Sequence, residues 1–184
     1  MIDQELKEQL KNAFASIEKN IELVYAPSAH EDQSSLMDLL QGVASTHAKI
    51  SVRPLADLDN QATNKNPDKN PDKNPDKNPD KNVIPQFKIF VENKPTGISF
   101  KGIPTGHEFT SLILAILNAG GKGKLPDQSL IDRIVRLKGP IRIQTYISLT
   151  CENCPDVVQA LNQMSLIHPD FQHEMIDGAY VQSE

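Results

Sequence analysis

From Asn66 to Lys81 the chain repeats Asn-Pro-Asp-Lys four times without interruption, and no core can be built from such a tract. A proline at every fourth residue removes a backbone donor and clashes with the preceding turn, so neither a helix nor a sheet ladder can run through it. Each copy carries one acid and one base, which makes the segment hydrophilic and net neutral. Composition places a disordered surface-loop insertion at about 56–82, with a partner-binding or adhesive tract as the alternative. At about 3.1 Å per residue the sixteen repeat residues could span roughly 50 Å. The ordered fold must therefore come from the two flanks.

Those flanks show one order of elements that begins twice. Leu6, Leu10, Phe14 and Ile17 recur at helical spacing from Asp3 to Lys19, and Ile21–Tyr25 reads as a strand. Leu36, Leu39, Leu40 and Val43 mark a second helix, followed by a strand at Lys49–Arg53. After the insertion, Gln86–Val91 and Gly97–Phe100 are predicted to form a hairpin across Glu92–Thr96, with the turn near Asn93 and Lys94. An apolar helix from Glu108 to Asn118 follows and stops at Gly120-Gly121. The pattern then restarts with a helix from Asp127 to Lys138, a strand alternating through Ile141, Ile143, Thr145 and Ile147, a helix carrying Val157, Val158, Leu161 and Met164, and a strand at Phe171–Ile176. This order defines an α/β chain with a first unit at 1–121 and a second at 122–184. The second has too few residues after Asp177 for a hairpin and closing helix, so the expectation is either a fragment or an incomplete second unit whose sheet has an exposed edge.

Composition removes several classes of function. Nineteen Lys and Arg against twenty-four Asp and Glu give a net charge of −5, which offers no basic field for nucleic acid. The amino terminus lacks the basic start and apolar stretch of a secretory signal, and the longest apolar run, Leu112–Leu117, is too short to cross a bilayer. The expected location is the cytoplasm, without membrane attachment. Gly120-Gly121-Lys122-Gly123-Lys124 follows a helix and lacks a Ser or Thr after the lysine, so it reads as a helix stop and not as a phosphate loop. No dinucleotide-binding glycine fingerprint is present.

The only two cysteines, Cys151 and Cys154, stand as Cys-Glu-Asn-Cys-Pro between the β-patterned and α-patterned runs of the second unit. A helix amino terminus stabilises a thiolate through its free amides and dipole. Cys151 is thus the expected nucleophile and Cys154, one turn in, the resolving thiol. Pro155 suits the first helical turn, whereas Glu152 opposes thiolate formation. Partial metal ligation and inert thiols are the weaker alternatives, since a closed zinc site needs four ligands. His168, beside Pro169 in a turn, and His173, in a strand-like run, are read as surface histidines, and no metal is assigned.

Gly106-His107-Glu108-Phe109-Thr110-Ser111-Leu112 and the string from Thr145 through Cys151-Glu152-Asn153-Cys154 to Asn162 resemble the amino-terminal region of the F subunit of alkyl hydroperoxide reductase. The resemblance implies two tandem thioredoxin-like folds, each a central mixed sheet flanked by helices, with the second cut short at its carboxy end. Only the second carries a dithiol. Pro27-Ser28-Ala29-His30 occupies the corresponding place in the first, which should be redox-silent. Pro85 resembles the cis-proline of such folds, against the reading of a plain linker proline.

By the same resemblance Cys151 and Cys154 relay electrons to the disulfide of a peroxiredoxin, the C-type component of alkyl hydroperoxide reductase, an antioxidant role in the response to reactive oxygen species. The family's FAD and NADH belong to domains that this chain lacks, so no cofactor is expected within it beyond the dithiol. Glu108 is implied as an acid facing that dithiol and tuning its acidity, against the reading of an ordinary charge at a helix start. The alternative for the whole chain is a redox-inactive truncated fragment that acts at most as a protein-binding scaffold.

Overall fold

A computed structural model describes residues 2–55 and 83–181, so the Asn-Pro-Asp-Lys tract lies outside the described residues. Asp3 opens helix α1 (Gln4–Phe14) by accepting the Leu6 amide at 2.8 Å, which satisfies one of the donors that every helix leaves free at its start. The helix is shorter than its apolar spacing predicts. Ile17 is buried after the helix has ended, because the Ile17 amide turns back to the Phe14 carbonyl at 2.9 Å and the Glu18 amide is taken by Gly120. Strand β1 (Ile21–Tyr25) is buried at its first four positions, Glu22 included, as a strand with neighbours on both edges should be. Helix α2 (Gln33–Ala44) buries Leu36, Leu39, Leu40 and Val43, and strand β2 (Ile50–Pro54) returns parallel to β1.

Strands β3 (Gln86–Val91) and β4 (Lys94–Lys101) form the expected hairpin, but the connection is tighter than the sequence implies. Glu92 and Asn93 both adopt positive φ, at 49° and 64°, the conformation that a two-residue turn between twisted strands demands. Pro85 precedes β3, and its carbonyl accepts the Gly102 amide at 2.7 Å. The expected cis bond is absent: every peptide among the described residues is trans, the default even before proline.

Helix α3 (Glu108–Ala119) ends at Gly120, and α4 (Gln128–Val135) begins with Asp127 capping the Leu130 amide at 3.0 Å. Strand β5 (Ile141–Ile147), helix α5 (Cys154–Ile167) and strand β6 (Phe171–Asp177) then make a strand–helix–strand crossover, closed by a short 3-10 turn at Gly178–Tyr180. All six strands join one mixed sheet in the order β2-β1-β3-β4-β6-β5. The parallel pairing of β4 with β6, Ile98 opposite His173 through Lys101 opposite Ile176, joins the strands before Gly120 to those after it. Gly97, at φ +84°, is required at that seam, since a Cβ there would stand 2.4 Å from the Phe171 carbonyl oxygen.

One apolar cluster draws on residues from both sides of Gly120-Gly121. Phe87 and Phe100 stack at 5.0 Å, while Ile147, Val158 and Met175 pack into the same cluster as Phe14, Leu36 and Leu112. At the other end of the sheet β5 has a single neighbour among the described residues, and Tyr146 on it is 61% exposed.

Both histidines expected at the surface are buried. His173 is fully enclosed, and His168 holds the Leu137 carbonyl at 3.0 Å and accepts the Asp170 amide at 3.1 Å. The alternation of β6 explains His173: it shares a strand face with Phe171 and Met175, both buried, and is buried with them.

Candidate redox site

The cysteines lie where β5 hands the chain to α5. The Ser148 carbonyl accepts the Cys151 amide at 2.9 Å, while the Ser148 hydroxyl lies 3.0 Å from the Thr150 hydroxyl and accepts the Thr150 amide at 3.4 Å. This compact turn delivers Cys151 to the threshold of α5. Cys154 starts the helix, Pro155 fills its first turn, and the Asn153 side chain makes no capping bond. The first-turn amides are therefore not consumed by Asn153, and the dipole end of α5 is open to negative charge.

Cys151 and Cys154 are joined by a disulfide, their Cα atoms 5.5 Å apart, within the ordinary range for such a bridge. Both are half-buried, and Cys154 packs against the apolar cluster. The pair has the access that exchange chemistry needs and a fixed inner partner.

The structure places Glu108 inside the protein, fully enclosed in the first turn of α3. An ordinary helix-start charge would be solvated, and this one is not. Neither carboxylate oxygen has a formed hydrogen bond among the described residues. Burial raises its pKa above the usual carboxylate range, and the Ser111 hydroxyl and His107 ring only partly offset that effect. Ser111 in turn accepts from Gln159 of α5 at 3.4 Å, so the helix bearing Glu108 is tied to the helix that starts at Cys154.

Burial of this carboxyl also bears on stability. The folded carboxyl keeps its proton where the unfolded one has released it, so the fold binds more protons and loses stability as pH rises through the raised value. Glu108→Gln is expected to melt higher than the parent at alkaline pH and like the parent in acid, measured as Tm across pH. Parallel Tm profiles would show that Glu108 is solvated.

Two further features have little or no signature in the sequence. His173 sits between Asn162 of α5, at 2.8 Å, and Thr145 of β5, at 2.9 Å, so one buried ring ties the dithiol helix to two strands. A polar residue within an otherwise apolar alternation is the only signal that the sequence offers. The second feature is a cleft of about 550 Å³ of mixed lining, with Leu6, Leu39, Phe109 and Leu149 beside Asp38 and Asp177, which brings the amino-terminal helices to within two residues of Cys151.

The loop after β1 carries Ser28, His30 and Asp32. Ser28 contacts the Val83 carbonyl, His30 meets the Tyr180 ring edge-on at 5.5 Å, and the Tyr180 hydroxyl donates to Asp32 at 3.0 Å. That burial and the Asp32 charge push the phenol of Tyr180 far above its ordinary value, so it remains a donor. This loop contains no thiol.

No protein-family model matches the chain. The F subunit of alkyl hydroperoxide reductase in Staphylococcus aureus (strain NCTC 8325 / PS 47) is 37% identical over 184 residues, all of this chain and 32% of that protein. Its counterpart in Staphylococcus epidermidis (strain ATCC 12228 / FDA PCI 1200) is 38% identical over the same span. Among solved structures, the NTD_N/C domain of alkylhydroperoxide reductase AhpF from Enterococcus faecalis (V583) superposes with a TM-score of 0.79 at 28% identity, covering 98% of this chain and 82% of that one. A protein disulfide oxidoreductase from Aeropyrum pernix K1 shares the fold at a TM-score of 0.74 and 15% identity, over 99% of this chain and 77% of that one. The chain spans about a third of the length of the curated relatives it matches. It is a thioredoxin-like α/β chain that resembles, along its whole length, the amino-terminal region of the alkyl hydroperoxide reductase AhpF.

Proposed function

We propose that this chain is a thiol–disulfide relay that delivers electrons to the disulfide of a peroxiredoxin. The observation that carries the reading is a disulfide-bonded Cys-x-x-Cys at a strand-to-helix junction, in a chain similar throughout to the amino-terminal region of AhpF. The Cys151 thiolate attacks one sulfur of the substrate disulfide and expels the other as a thiolate. The Cys154 thiolate then attacks the Cys151 sulfur of the mixed disulfide and releases the second substrate thiol. Two electrons leave the chain, two sulfurs on the substrate gain them, and Cys151–Cys154 is left as a disulfide.

In this reading Glu108, whose carboxyl is held above the usual carboxylate range by burial, is the acid that tunes the dithiol. The reduced dithiol must be regenerated by a donor outside the chain, which in the family's complete enzyme is a flavin domain fed by NADH. The residues here do not suit either cofactor, since no Gly-x-Gly-x-x-Gly turn is present. Among the described residues no helix is long and apolar enough to cross a membrane, which is compatible with a cytoplasmic relay.

The test is a single turnover. The chain is reduced with dithiothreitol, freed of reductant and mixed without oxygen with an oxidised peroxiredoxin of the alkyl hydroperoxide reductase type, and thiols on each protein are counted by mass spectrometry. One peroxiredoxin disulfide opened per chain is the expected result. A folded, fully reduced chain that leaves the peroxiredoxin oxidised would falsify the relay and favour the scaffold.

A further inference from the structure

We propose that the Thr105–Gly106–His107 turn of the first repeat is a positioning element for the dithiol loop of the second. The inference rests on the redox reading of Cys151 and Cys154 but not on the identity of their substrate. Gly106 has φ +55°, and a Cβ built on it would stand 2.9 Å from the Leu149 carbonyl oxygen, two residues before Cys151. The next amide, His107 N–H, donates to that same carbonyl at 3.4 Å. The backbone of the first repeat thus reaches the dithiol loop at a distance that no side chain could share.

The turn is itself braced. The Thr105 amide donates to Ile103 at 2.7 Å, and the Thr105 carbonyl accepts the Glu108 amide at 3.1 Å as α3 begins. Phe109, one residue on, packs against the same apolar cluster as Leu149. On the other side, the internal hydrogen bonds of the dithiol loop run among Ser148, Thr150 and Cys151, and so set its shape but not its placement. Orientation of the Leu149–Thr150 peptide against the fixed turn supplies the placement. The redox-silent repeat therefore acts on the thiols through backbone contact, and neither Gly106 nor His107 touches sulfur to do so.

Two effects of substituting Gly106 must be separated: the cost of a positive φ for a side chain, and the collision with Leu149. Gly121 supplies the control. It also has a positive φ, +91°, but its nearest neighbours are side-chain atoms of Lys19 and Glu18, the closest at 3.5 Å. Gly106→Asn adds a third arm, because asparagine tolerates the left-handed region yet carries the Cβ that meets the carbonyl.

The measurement is the equilibrium of the dithiol with glutathione, in which one glutathione disulfide is reduced to two thiols as Cys151 and Cys154 form their bridge. It is made on the full chain, beside Tm. Gly106→Ala and Gly106→Asn are expected to shift that equilibrium constant by about threefold or more, while Gly121→Ala leaves it at the parent value despite a lower Tm. An unchanged constant in folded Gly106→Asn overturns the proposal, and so does an equal shift in Gly121→Ala. No peroxiredoxin enters the assay, so failure of the relay reading and failure of this one are told apart.

Discussion

Cys151→Ser is expected to abolish peroxiredoxin reduction, whereas Cys154→Ser is expected to halt it halfway, with the peroxiredoxin covalently held on Cys151. The asymmetry comes from position. The thiolate is the nucleophile in disulfide exchange, and a helix amino terminus lowers the pKa of the thiol placed before it. Cys151 occupies that place, reached through the Ser148–Cys151 turn, while Cys154 is already inside α5 and packed on the apolar cluster. A serine hydroxyl at 151 stays protonated and cannot open a disulfide, so no adduct forms. A serine at 154 leaves attack intact but removes the sulfur that would resolve the adduct. Non-reducing electrophoresis and intact mass read both outcomes, and the trapped species must dissolve in excess dithiothreitol. Adduct formation by Cys151→Ser through Cys154 would reverse the assigned roles. Neither variant should unfold: the bridge closes a loop of separation 3, and chain entropy assigns such a loop only about 2 kcal/mol.

The dithiol and most of the elements could be read from the sequence because their signals are local. Alternation through Ile141, Ile143 and Thr145 marks β5, and apolar spacing marks α2 and α3. What could not be read depends on distant partners. The two-residue turn at Glu92 and Asn93 was hidden because Lys94 and Pro95 look like loop residues until Val91 and Phe90 pair with them. The turn that follows α1 is held by Gly120, more than a hundred residues away, which takes the Glu18 amide. Glu108 shows the same limit at the site itself. Its place in a helix start was legible, but its burial was not, since that needs α5 packed against α3 through Gln159 and Ser111. Histidine misleads in a strand because its polarity argues for solvent while its alternation argues for the core. For His173 the alternation wins, because Asn162 and Thr145 supply the polar partners that make its burial tolerable.

The buried ring should make acid the chief threat to the fold. Burial lowers the pKa of His173 to about 4, with the adjacent Glu174 pulling weakly the other way. Its Nδ1–H donates to the Asn162 Oδ1, which leaves Nε2 to accept from the Thr145 hydroxyl, so the neutral ring is satisfied on both sides. In the unfolded chain the same imidazole takes a proton near its ordinary value of 6.5. Between those two values the unfolded state binds more protons, so stability is complete above pH 6.5 and drains away as the pH falls toward 4. The full loss is about 3 kcal/mol, a large part of a small domain's margin. Glu108 titrates with the opposite sign, which is why the effect must be read as a difference between variants. His173→Gln keeps a neutral hydrogen-bonding side chain and removes the titration. Urea unfolding across this window is expected to show a steep acid loss of stability in the parent and a total loss smaller by about 3 kcal/mol in the variant. Equal losses would mean that the ring is protonated in place and that some other group governs acid unfolding. Because His173 ties α5 to β5 and β6, the same titration should loosen the platform under Cys151 and Cys154 before the rest of the sheet gives way, visible as faster amide exchange in α5 than in β1 or β3 at acid pH.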